Sequence, residues 1–133
     1  MIAVDELMIG NWVYDGDKTQ FPFFVETIGP DYVYLNFPEN QGDVWETSPE
    51  ELQGIPLTPE LLTKLGFTLS HGLWRKREHH RYIAIKIESE FVSIEAFDDM
   101  LMDSRGTFHG VKYLHQVQNL FRIISKKELN FEL

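Results

Sequence analysis

Polar and apolar positions alternate along most of the chain with the period of a sheet, and one stretch near the C-terminus changes to the period of a helix. Along Val111 to Ile124, at about 100° per residue, Tyr113, Leu114, Val117, Leu120, Phe121 and Ile124 share one arc. Lys112, His115, Gln116, Gln118, Asn119 and Arg122 fill the other. This is the one long helix the pattern predicts, and it is the natural lid for a sheet that must bury a face. Ahead of it, residues 7–14, 21–28, 32–37 and 44–45 read as strands, rich in aromatic and β-branched residues. Asp15-Gly16-Asp17 and Gly29-Pro30-Asp31 supply turn chemistry between them, Pro22 belongs at a strand start or edge, and 38–42 is a loop.

Ser48-Pro49-Glu50-Glu51 has the order of a helix start, with Ser48 as N-cap, Glu51 closing a capping box and Gly54 stopping the helix after about one turn. A short strand at Ile55-Pro56-Leu57 follows. Thr58 to Gly66 reads as a complete small helix, capped by Thr58, begun by Pro59 and ended by Gly66. Residues 67–77, 81–88 and 91–97 then read as three strands. In the middle one Ile83, Ile85 and Ile87 alternate with Tyr82, Ala84, Lys86 and Glu88, as in a sheet wet on one side. Residues 98–110 read as irregular, with a short helix over Asp99 to Met102, and Leu129 to Leu133 as a terminal strand.

These elements predict an α+β protein. Residues 1–57 form an acidic SH3-like small β-barrel, closely packed on a second half, 58–133, in which a three-stranded antiparallel sheet is covered by the long helix. A plain twisted meander accounts equally well for the first strands.

The totals narrow the class. The 133 residues suffice for one ordinary domain or two very small ones, and 43% hydrophobic with 14% aromatic residues provides for a core rather than a disordered chain. The absence of cysteine excludes disulfides and thiolate metal sites. The start carries no basic-then-apolar leader and no run approaches the roughly 18 apolar residues of a membrane span, so a soluble, cytoplasmic protein without a membrane partner is expected. The net charge of -9 is lopsided: residues 1–66 hold 2 Lys/Arg and 12 Asp/Glu, residues 67–133 hold 10 and 9. Any nucleic-acid contact therefore belongs to the second half.

Three pieces carry a resemblance: Ile9-Gly10-Asn11-Trp12-Val13; Ile55 to Glu60 with Gly66-Phe67; and Lys112-Tyr113-Leu114-His115-Gln116-Val117-Gln118-Asn119-Leu120-Phe121. Together they resemble a family of small uncharacterised proteins of Bacteroidetes and their phages or prophages. Members carry Tyr-Val-His-Gln-Leu-Gln-Asn-Leu-Tyr in the helix and Thr-Gly-Glu-Glu-Leu after it, from which Leu114, Val117, Phe121 and Ser125 to Leu129 depart mildly. The resemblance implies a host or prophage context and no activity, so it transfers no functional residues.

Candidate chemistry is sparse. Trp74-Arg75-Lys76-Arg77-Glu78-His79-His80-Arg81-Tyr82 combines four cations with two histidines and two aromatics, suited to phosphates and a stacked base, or to an acidic protein face. It reads more readily as a hairpin with a solvated tip and Trp74 and Tyr82 in cross-strand pairs. His71, His79, His80 and His109 lack chelating spacing, and adjacent His79 and His80 alternate faces in a strand, so no metal is expected. Asp98, Asp99 and Asp103 read as a solvated loop without a partner base. On the long helix His115, Gln118, Asn119 and Arg122 form a polar stripe, either a partner-binding face or the side shown to water. Val111 and Ile123 lie off the main arc, which implies contact on a further side, by the acidic half or by another copy of the chain. No P-loop, nucleophile elbow, dinucleotide fingerprint or His-Glu-x-x-His occurs, so no cofactor and no catalytic residues are assigned.

The leading expectation is a non-catalytic accessory or interaction module for a protein partner, with Trp12, Tyr14, Tyr32, Tyr34 and Trp45 as candidate contact aromatics. The alternative is nucleic-acid binding through Arg75 to Arg81, and an enzyme without a recognisable signature ranks third.

Overall fold

Residues 2–16, 20–78, 81–87, 92–98, 105–131 and 133 are described by a computed structural model. Two compact units emerge: residues 1–56 with 113–119, and residues 57–112 with 120–133.

In the first unit, strands β1 (Trp12–Asp15), β2 (Pro22–Ile28), β3 (Val33–Asn36) and β4 (Trp45–Thr47) run as an antiparallel meander, and β5 (Leu52–Gly54) pairs with β1. The sheet order is β4-β3-β2-β1-β5. Alternation decides the inward face: Val13, Val25, Val33, Leu35 and Leu52 turn in and join Ile2 and Leu7 in one core, against which Phe23 and Ile28 pack. Each such burial stabilises by about 1.5–3 kcal/mol relative to exposure. A register shift between Val25 and Thr27 bends β2.

The expected SH3-like barrel is not formed. The sheet is open, with β4 and β5 as its edges, and no ladder joins them among the described residues. Beyond β5 the chain is occupied instead by the segment entering the long helix: Leu114 N donates to Ile55 O at 2.9 Å and Pro56 bridges to Tyr113. The linear order of elements was shared with a barrel, but closure depends on edge pairing that order does not encode. Ser48 likewise makes no side-chain cap; Pro49–Glu51 is a single 3-10 turn.

The second unit holds α1 (Pro59–Lys64) and strands β6 (Thr68–Ser70), β7 (Leu73–Glu78), β8 (Arg81–Ile87), β9 (Val92–Asp98) and β10 (Arg105–Val111), an antiparallel meander in the order β10-β9-β8-β7-β6. Thr58 caps α1 by accepting from Leu61 N at 3.1 Å. The expectation of a three-stranded sheet falls on two counts. The first of the three strands is a hairpin, turned at His71 and Gly72, both at positive φ. Residues expected to be irregular supply β10.

Nor does a long helix cover that sheet. Helix α2 (Leu114–Ser125) has 12 residues, and residues up to Asn119 belong to the first unit. Leu129 to Leu133 forms no strand among its described residues, and the short helix expected over Asp99 to Met102 lies outside them. No helix among the described residues is long and apolar enough to cross a membrane.

Candidate functional site

The segment from Phe37 to Trp45, which leads from β3 into β4, is both ordered by its own hydrogen bonds and open to solvent. Asn36 and Asn40 organise it, as asparagine does where its side chain can substitute for a backbone turn partner. Asn36 Oδ1 accepts from Phe37 N at 2.9 Å and from Asn40 Nδ2 at 2.8 Å. Asn40 Oδ1 accepts from Gly42 N at 3.0 Å, and its amide donates to Asp43 O at 3.2 Å. Glu39 takes a positive φ of 66° within this loop.

What the loop presents is apolar and acidic at once. Phe37 is 37% exposed, Val44 38% and Trp45 58%, while Glu39, Asp43 and Glu46 are exposed between and beside them. Phe21, 50% exposed, extends the apolar surface: Phe21, Phe23 and Phe37 meet edge to face, with ring centroids 5.2 to 6.1 Å apart. Trp45 is fixed from the far side. Its Nε1 donates to Asp15 Oδ2 at 2.5 Å, and Thr47 Oγ1 donates to Asp15 Oδ1 at 2.9 Å. These bonds reach past β2 and β3, so the open sheet is strongly coiled. The unit carrying this surface has eleven Asp/Glu against one basic residue, Lys18.

A cluster of large aromatic rings held in place yet left in water is the composition of a binding hot spot, and prior ordering lowers the entropy lost on binding. Of the aromatics singled out from the sequence, Trp45 belongs here, and Trp12, Tyr14, Tyr32 and Tyr34 are each half-buried. Phe21, Phe37 and Val44 were not anticipated. Apolar residues flanking an Asn-rich loop, with Asn36 and Asn40 four apart, were the available signal.

The polar stripe of α2 is divided. His115 is fully buried and Gln118 nearly so, against the first unit's N-terminal segment. Trp12 N donates to Gln118 Oε1 at 2.8 Å, and Gln118 Nε2 donates to Gly10 O at 3.0 Å. Asn119 Oδ1 accepts from Asn11 Nδ2 at 2.7 Å, and Asn119 Nδ2 donates to Glu6 O at 2.8 Å. These side chains are engaged in holding the unit together. His115 Nε2 lies 3.4 Å from Glu6 Oε2, its ring stacks on Tyr113, and its Nδ1 is buried without a hydrogen-bond partner among the described residues. Burial pushes its pKa below the usual 6.5, against the opposing hydrogen bond and charge of Glu6. Arg122, by contrast, is exposed, 3.8 Å from Glu128.

The basic stretch is also split by strand alternation. Arg75 and Arg77 are exposed, whereas Trp74 and Lys76 are half-buried at the alternate positions. Lys76 Nζ donates to Leu65 O at 2.6 Å, at the C-terminal end of α1, and lies 5.7 Å from the Phe121 ring centroid. Arg81 occupies the β8 position opposite Glu78 and Asp98, while His79 and His80 lie outside the described residues, as do Asp99 and Asp103. Among the described residues no three His, Asp or Glu side chains are grouped as metal ligands. No family model, no curated protein and no solved structure matches the chain.

Proposed function

We propose that the protein is a non-catalytic interaction module whose first unit binds a cationic segment of a protein partner on the surface formed by Phe21, Phe37, Val44 and Trp45. The observation that carries this reading is the preordered loop: its Asn bonds and the Asp15–Trp45 bond hold large apolar groups in solvent. Charge selects the class of partner. Glu39, Asp43 and Glu46 border the aromatics in a unit with an excess of ten acidic groups, eleven against one, so Lys and Arg side chains are attracted and acidic surfaces repelled. Such side chains also find aromatic faces to lie against.

A displayed library of random peptides tests this, panned in parallel on the wild type and on a Phe37→Ser/Trp45→Ser variant. The wild type is expected to enrich peptides rich in Lys and Arg with one or two apolar anchors, and the variant to enrich none of them. Enrichment of acidic peptides, or the same peptides on both proteins, contradicts the proposal.

A further inference from the structure

The sheet of the first unit ends differently at its two edges. Beyond β5 the chain itself takes up the edge, since Leu114 N donates to Ile55 O and Pro56 bridges to Tyr113. At the other edge β4 pairs with β3 alone, Trp45 opposite Leu35, Glu46 opposite Tyr34 and Thr47 opposite Val33, and no other described strand joins it. Trp45 and Glu46 leave the strand on opposite faces because successive side chains alternate, yet both are exposed, so the edge is covered from neither face. The usual guards of an edge are missing too: Trp45–Thr47 carries no lysine or proline, and its pairing with β3 has no register shift.

The two faces differ in chemistry at this edge. Cross-strand partners share a face, so Trp45 stands with the fully buried Leu35, and Glu46 with the half-buried Tyr34, whose ring centroid lies 5.1 Å from that of Tyr32. A strand laid along β4 therefore meets an indole on one side and a carboxylate beside a tyrosine on the other. Its own side chains alternate in the same way. With three residues β4 offers only about two to four outward N–H and C=O groups, too few to hold a strand without matching side chains.

We propose that the basic partner segment binds as an added strand on the free edge of β4, with Lys or Arg at every second position facing Glu46 and apolar residues between them facing Trp45. Resting on the reading of the first unit as a binder of cationic segments, this adds the backbone conformation of the segment and the spacing of its side chains. Charge favours such an occupant over the same edge of a second copy, which would bring together two units of eleven acidic groups against one basic.

Fluorescence anisotropy with labelled synthetic peptides is the test. One peptide carries the core Lys-Val-Lys-Val-Lys, and a second the same residues as Lys-Lys-Lys-Val-Val. The alternating core is expected to bind about fivefold more tightly or better, because only it puts both chemistries on their matching faces. N-methylation separates strand pairing from side-chain contact, since the N–H groups of successive residues point to opposite edges. Methylating the lysines in one peptide and the valines in another is expected to abolish binding in one case and leave it within about threefold in the other. On the unaltered protein, exchange of the β4 amides directed away from β3 is expected to slow when the alternating peptide is added. Equal binding of the two cores, equal effects of the two methylations, or unchanged exchange in β4 would each overturn strand addition. If any of these occurs while Phe37→Ser/Trp45→Ser still abolishes binding, the surface stands and only the added strand falls. Binding of neither peptide overturns both.

Discussion

The indole N–H of Trp45 donates to the Asp15 carboxylate at 2.5 Å while the ring stays 58% exposed. The bond joins residues 30 apart in sequence and fixes an aromatic group that burial does not. Asp15→Ala is therefore expected to cost about 1 kcal/mol of stability, as an exposed charge-assisted bond does. It is expected to loosen Trp45 far more, seen as faster depolarisation of tryptophan fluorescence relative to wild type. Unchanged depolarisation means that the loop holds the ring without Asp15.

Asn40 is the second organiser of the loop, through bonds to Asn36, Gly42 and Asp43. Asn40→Ala is expected to leave the melting temperature within a few degrees of wild type, because the loop contributes little to the core. Amide hydrogen exchange from Phe37 to Trp45 is expected to accelerate about tenfold or more, the loss of roughly 1.4 kcal/mol of local protection.

Gln118 uses both ends of its amide on backbone groups at the start of β1. Gln118→Ala leaves the Trp12 N–H and the Gly10 carbonyl without that partner, and about 2–4 kcal/mol of unfolding free energy is expected to go, measured by urea denaturation. Gly54 is a steric counterpart in the same unit: a Cβ there would stand 2.6 Å from Tyr113 Cδ1, so Gly54→Ala is expected to cost about 1–3 kcal/mol.

His115 is expected to give stability a pH dependence whose sign follows from its burial. Its folded-state pKa lies below 6.5, chiefly through burial, so the unfolded chain takes up the proton first. Its contribution is fully present above about pH 6.5 and is lost as pH falls from there toward the lower folded-state value. Urea denaturation at a series of pH values from about 8 to 5 is expected to show this loss in the wild type and a shallower one in His115→Leu. Parallel curves contradict the assignment.

Helix α1 was legible residue by residue, because Thr58, Pro59 and Gly66 act locally, and Gly66 takes the positive φ that ends the helix. Strands β1 to β3 were legible from aromatic and β-branched runs. The hairpin at His71-Gly72 was signalled by Ser70 and Gly72, turn residues that interrupt the run from Phe67 to Arg77, but His71 at positive φ is not a usual turn residue and the flanking apolar positions read through it as one strand. Strand β10 hid because Gly106 and Gly110 weaken local preference, and β9 supplies the pairing. The polar stripe of α2 misled for a different reason: amphipathicity identifies the face that must be buried, but not whether the other face is buried too. Asn11, 2% exposed, shows the answer, with a carboxamide partner 108 residues away. The proposed binding surface was legible only at Trp45, because exposure of Phe21 and Phe37 depends on how far the sheet coils.

Amide chemical-shift mapping with a basic peptide selected on the wild type tests the central claim most directly. The account predicts that shifts concentrate at Phe21, at Phe37 to Trp45 and at Asp15, and that they vanish in Phe37→Ser/Trp45→Ser. Shifts concentrated elsewhere, on Arg75, Arg77 and Lys86 or on the exposed residues of α2, would contradict it.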